Sequence, residues 1–273
     1  MQQFDRAAED LGNSIHFEHV NVFVPDQRLA TLFYVAGLGL TRDPYLMVSD
    51  TNMWVNVGKS QFHLPAGAAQ VLRGHTGVVI SGREALLERL ASVAKKLEGT
   101  KFAFSEHNDY VEAVCPWGNR VRLYEPDAAR FGRITLGIPY VEFDVPVGSA
   151  KAICAFYPEI MAMPAELKNG DGNTARVRVG KDQYLQFRES DAAPGEFDGH
   201  HIQIYITDFS GPYQRLAEPR AARIAAHAMS SARGRRLSRF SGPLQPTCSS
   251  TQSVPRVYKV STNVRRSPAS LAG

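Results

Sequence analysis

The sequence predicts an α+β protein built from tandem βαβββ modules, the last of them incomplete. Three observations carry that prediction: strand-like alternation returns at regular intervals, helical spacing interrupts it once per interval, and one half of the chain repeats the other in legible letters.

The first strand is "HFEHVNVFVPD" (16–26), with apolar and polar residues alternating. "QRLATLFYVAGLGL" (27–40) reads as a short helix closing on glycines. "NMWVNVGKSQFHLP" (52–65) reads as two short strands around Gly58-Lys59, and "HTGVVISG" (75–82) as another strand. The helix "REALLERLASVAKKLEG" (83–99) sets leucines 86, 87, 90 and 97 on one side. "KFAFSE" (101–106) and "DYVEAVC" (109–115) lead into "CPWGNRVRLYEP" (115–126), which turns at Trp117-Gly118-Asn119 and then alternates. Val121 and Leu123 fall on one face, Arg120, Arg122 and Tyr124 on the other.

The same order then returns. "EHVNVFVPD" (18–26) lines up with "PYVEFDVPV" (139–147), "FYVAGLGL" (33–40) with "FYPEIMAM" (156–163), and "VNVGKSQF" (55–62) with "VRVGKDQY" (177–184). "GHTGVVISG" matches "GHHIQIYITD" (199–208), and "LERLA" (87–91) matches "YQRLA" (213–217). Offsets stay between 121 and 126, which argues for a duplicated domain. We expect one pair of modules over 15–126, able to fold by itself, and a partial, less stable pair over 137–217.

Charge separates the body from the tail. The chain has 273 residues, 31 Lys/Arg, 27 Asp/Glu and a net charge of +4. Residues 219–273 hold ten Lys/Arg and no acid, so the first 218 residues are mildly acidic and no nucleic-acid partner is expected for the folded body. The tail breaks off the repeat in mid-module and is rich in Arg, Ser, Ala and Pro. Two readings fit it: a basic disordered tail, or translation out of frame from near Pro219. Cys115, Cys154 and Cys248 form no even-numbered framework and no metal-spaced pair. "MQQFDRAAEDLGNSI" lacks an apolar core and no run reaches membrane-spanning length, so the expectation is a cytoplasmic protein with no membrane partner.

Tandem βαβββ units, a "HV" opening strand, an "FY…GL" helix and a "PWGN…LYEP" closing strand resemble the vicinal oxygen chelate superfamily, which includes glyoxalases, bleomycin-resistance proteins and extradiol dioxygenases. The resemblance implies two half-open barrels, the second incomplete here, whose concave faces bind a small oxygenated molecule, commonly on a divalent metal. Carried onto the first pair, the ligand positions fall on His19, on His63 or Gln61, on His75 and on Arg122. The implied metal set is therefore His19, His63 and His75, for Fe, Zn, Mn or Ni. A guanidinium where the family places a carboxylate disfavours a cation and suits an anionic ligand, with Arg120, Arg122, Tyr124, Trp54 and Gln61 as the binding set. Arg122 paired to Glu18, Glu106 or Glu112 is the structural alternative. The second pair offers Tyr140, Glu142, Asp144, Gln183 or Gln186, and His201, a poor set for ring cleavage. Two activities stay open: a metal-dependent lyase, isomerase or dioxygenase, and a metal-free protein that sequesters a small molecule. A homodimer is an assembly open to either.

Overall fold

The computed structural model describes residues 10–45, 49–170, 173–192 and 196–217, and the backbone of 258–261. The fold is α+β, with two open sheets and no closed barrel.

The first module holds β1 (Ser14–Asn21), helix α1 (Gln27–Ala30) running on as a π-helical stretch over Thr31–Gly37, β2 (Thr41–Arg42), β3 (Asn52–Val57) and β4 (Ser60–Pro65). The second holds β5 (Gly74–Val79), α2 (Arg83–Ala94), β6 (Ala103–Glu106), β7 (Val111–Val114) and β8 (Arg120–Tyr124). A connecting turn of helix, α3 (Ala128–Phe131), leads to the third: β9 (Gly137–Pro146), α4 (Ala150–Phe156), β10 (Ala165–Lys168), β11 (Thr174–Gly180) and β12 (Gln183–Ser190). The fourth module contributes β13 (His201–Ile206) and α5 (Ser210–Ala217). Of the basic tail, the described part is β14 (Tyr258–Ser261), which pairs antiparallel with β13. The rest of the expectation for 219–273, Cys248 included, lies outside the described residues.

Local chemistry accounts for these elements. Asp26 caps α1 by accepting from the amides of Arg28 (2.7 Å) and Leu29 (3.0 Å). Gly58 turns the β3–β4 hairpin at φ 64°, and a Cβ there would stand 2.1 Å from the carbonyl oxygen of Leu136. Of leucines 86, 87, 90 and 97, three are buried, Leu86, Leu90 and Leu97, in one stripe of α2 and its continuation that Val93 completes, while Leu87 is half-buried at its edge. β2 went unread because two exposed residues carry no alternation.

The sheets join modules in a way the sequence reading did not anticipate. The six-stranded sheet runs β14-β13-β1-β4-β3-β2 and the eight-stranded sheet β10-β11-β12-β9-β5-β8-β7-β6. Module one therefore pairs with module four through β1 and β13, and module two with module three through β5 and β9, both antiparallel. The expected partners, one with two and three with four, share no sheet. Gln183 ties the two sheets together: its carboxamide oxygen accepts from the Phe17 amide (3.2 Å), and its nitrogen donates to Ser60 Oγ (3.0 Å) and the Ile138 carbonyl (3.1 Å). A single large apolar cluster runs from Phe17 and Val20 through Leu90 and Leu123 to Val177 and Ile204. Among the described residues, no helix is long and apolar enough to cross a membrane.

Candidate functional site

Val20 on β1 and Val22 just beyond its end belong to the apolar cluster, so His19 and Asn21 face the other way, onto the opposite side of the six-stranded sheet. Register sets their neighbours: His19 lies opposite Gln61 of β4 and Gln203 of β13, and Asn21 opposite His63 and His201. The imidazole of His19 is 5.5 Å, centroid to centroid, from that of His63, 6.2 Å from that of His201 and 5.0 Å from the Trp54 ring. Trp54 stacks on His63 at 3.7 Å, and His63 Nε2 pairs with Asn52 Oδ1 at 2.8 Å. The rim residues are half-buried, while His19 and Asn21 on the floor are 2 % and 1 % exposed.

A register shift between Phe17 and His19 makes the dyad at the centre. On a regular strand Glu18 and His19 would point to opposite faces; the irregularity lets them meet, with His19 Nδ1 donating to Glu18 Oε2 at 2.7 Å. Glu18 Oε1 accepts from the Tyr205 hydroxyl at 3.2 Å, and burial next to that carboxylate pushes the Tyr205 phenol up to about 12. With Nδ1 spent, the lone pair of His19 sits on Nε2. Among the described residues, neither His19 Nε2 nor Asn21 Nδ2 has a hydrogen-bond partner, though both are buried. Burial holds His201 below the usual histidine range, helped by His19 and His200, and its Nδ1 lies 3.3 Å from the Gly199 carbonyl.

The predicted residues divide between the two sheets. His19, His63, Trp54 and Gln61 come together on the six-stranded sheet, where Gln61 donates to Asp43 Oδ2 (3.1 Å) and Asn56 Oδ1 (2.7 Å). His75, Arg120, Arg122 and Tyr124 stand on β5 and β8 of the eight-stranded sheet. His201 occupies the place beside His19 that the resemblance gave to His75, because β13 rather than β5 pairs with β1. Arg122 lies on the face of β8 opposite the core residues Val121 and Leu123, and its Nε donates to Glu112 Oε2 at 3.1 Å, one of the three partners foreseen for it. Asn21 was missed, although its place two residues after His19 was a readable signal. The pairing of Glu18 with its own neighbour was not readable, since it depends on the irregularity.

The residues fit a metal only in part. Anchored imidazoles with a carboxylate behind one of them are what a metal-binding histidine needs. Yet among the described residues no group of three or more His, Cys, Asp or Glu side chains is arranged to hold an ion, and Glu18 is already occupied by His19 and Tyr205. As described, this set is not a complete metal centre.

Two open sheets of paired βαβββ modules make this the fold of the vicinal oxygen chelate superfamily, of glyoxalase type. The chain is similar to glyoxalase I from Zea mays: it aligns with the V278E variant at 17% identity and a TM-score of 0.52, over 87% of this chain and 88% of that one. Another structure of glyoxalase I from Zea mays aligns at 15% identity and a TM-score of 0.50, over 84% of each chain. At such identities the likeness speaks for the fold alone. No protein-family model matches the sequence, and no curated protein does either.

Proposed function

We propose that the face of the six-stranded sheet carrying His19 and Asn21 binds a small molecule with oxygens on adjacent carbons and takes a proton from it. The observation that supports this reading is the pair of buried, unpartnered groups two residues apart: His19 Nε2, which can accept a proton, and Asn21 Nδ2, which can only donate. An unmade buried hydrogen bond costs roughly 1–3 kcal/mol, so both atoms are poised for a ligand. A hydroxy-carbonyl compound offers one group to each, with Trp54 as an apolar wall.

The dyad gives the face a reaction. Where a carbonyl acidifies the neighbouring C–H bond, His19 Nε2 takes that proton, the C–H electron pair forms a double bond to the carbonyl carbon while the C=O π pair moves onto the oxygen, and Asn21 N–H receives the charge that develops there. Glu18 holds the imidazole in the required tautomer and stabilises the imidazolium. The alternative, sequestration without turnover, uses the same contacts.

The test is deuterium exchange at the carbinol carbon of 2-hydroxyacetophenone, followed by proton NMR in D2O, with acetophenone as the singly oxygenated control for binding. We expect binding of the first compound to be tighter than that of the second, and exchange that falls by about a hundredfold in His19→Ala. Binding without exchange would leave the sequestration reading. Equal binding of both compounds, or exchange untouched by His19→Ala, would overturn the proposal.

A further inference from the structure

The eight-stranded sheet carries a second polar centre that the reaction above does not use. His75, 1 % exposed, lies at its middle: Nε2 is 3.0 Å from the Tyr140 hydroxyl, which is 2.7 Å from that of Tyr124, and Nδ1 faces Glu142 Oε1 at 3.6 Å. The arrangement is built rather than incidental, because the Tyr140 ring lies where a side chain at Gly77 would be, its Cε1 2.3 Å from the Cβ position.

Three guanidiniums flank this chain of polar groups, and they are not equivalent. Arg188 uses Nε on Glu142 and Nη2 on Asp144, both at 2.9 Å. Arg120 donates from Nε to the Gly74 carbonyl at 3.3 Å and stands 3.7 Å from Asp144. Arg122 uses only Nε, on Glu112, and lies over the Tyr110 ring at 4.9 Å; its two terminal nitrogens bond to none of the described residues. The field at the centre is positive, since Arg122, Arg120 and Arg188 add to burial in holding His75 down at about 3.

We infer that this face is a second ligand site, separate from the His19 face, which takes a small organic monocarboxylate on the open fork of Arg122, with the Tyr124–Tyr140 hydroxyl pair as its polar neighbour. A planar guanidinium fork matches a carboxylate in two parallel bonds. Glu112, Glu142 and Asp144 stand among the three arginines and offset part of their charge, so one further negative charge is accommodated more readily than the two of a phosphate. The inference does not depend on the reaction proposed for His19.

Calorimetric titration of the full chain near neutral pH tests it with three probes: benzoate, its neutral isostere benzamide, and inorganic phosphate. We expect benzoate to bind and the other two to bind more weakly. Arg122→Leu should weaken benzoate by at least about tenfold, with Arg122→Lys, which keeps the charge but loses the fork, in between. Tyr140→Phe removes one hydroxyl without touching the ion pairs, so it tests the site even where Arg122→Leu fails to fold; it too should weaken benzoate. The proposal falls if wild-type protein does not bind benzoate at millimolar concentration, if benzamide or phosphate binds as well, or if Tyr140→Phe binds benzoate like wild type. It also falls if Trp54→Ala abolishes binding while Arg122→Leu keeps it, because the carboxylate would then sit on the other face.

Discussion

At the scale of single residues, Gly77 and His75 show how a small change of identity sets the character of a site. Gly77 lies in the middle of a sheet, where a glycine weakens the strand, yet its missing side chain is the space that the Tyr140 ring fills. Gly77→Ala should therefore displace that ring and lower stability by about 1–3 kcal/mol, measured by urea denaturation. His75 adds a pH dependence. Its folded-state pKa of about 3 lies below the ordinary 6.5, so between these values the unfolded chain takes up a proton that the folded chain refuses. That contribution is fully present above pH 6.5 and is lost as pH falls toward 3. Glu142, pushed up by burial, acts in the opposite sense: it favours the folded chain at low pH, and that contribution fades as pH rises through its folded value. Tyr140, whose phenol burial pushes up, and Arg122, held up by Glu112, keep their charge states across this window. The expected outcome is that His75→Gln narrows the difference in urea midpoint between pH 7 and pH 4 relative to wild type; an unchanged difference would count against a buried neutral His75.

At the scale of elements, strands and helices were legible wherever a period lasted long enough. The β3–β4 hairpin, α2 and β8 all follow from alternation or helical spacing joined to glycine at the turn. The turn before β8 carries more than a change of direction. Buried Asn119 accepts from the Leu72 amide and donates to the Gln70 carbonyl, both at 2.8 Å, clamping the segment that leads into β5 against the start of β8. Asn119→Ala would leave two buried backbone groups unpaired, so a loss of about 2 kcal/mol or more in chemical denaturation is expected, with the far-UV spectrum largely kept. The irregularity in β1 was not legible. Alternation assigns Glu18 and His19 to opposite faces, and only the shifted register against β13 turns them toward each other.

At the scale of the molecule, the decisive fact is which modules share a sheet. A fragment ending near Arg133 keeps modules one and two but loses both β13 and β9, leaving β1 and β5 each with a bare edge and the Gln183 tie gone. Contrary to the expectation of an autonomous pair over 15–126, such a fragment should lack a cooperative thermal transition and should aggregate through those edges. A melt of the fragment as sharp as that of the full chain would refute this. The sequence by itself determined the module, its repetition and the alternation that sets Arg122 on the face of its strand opposite Val121 and Leu123, because these depend on local periodicity and on similarity along the chain. Only the tertiary structure decided that His19 meets His201 instead of His75, and that Arg122 meets Glu112 and the Tyr140 centre instead of Trp54 and Gln61. Strand pairing joins residues far apart in sequence, and four similar modules offer several pairings whose local patterns are alike. The choice among them rests on how the buried faces and side-chain ties fit together once the whole chain has closed.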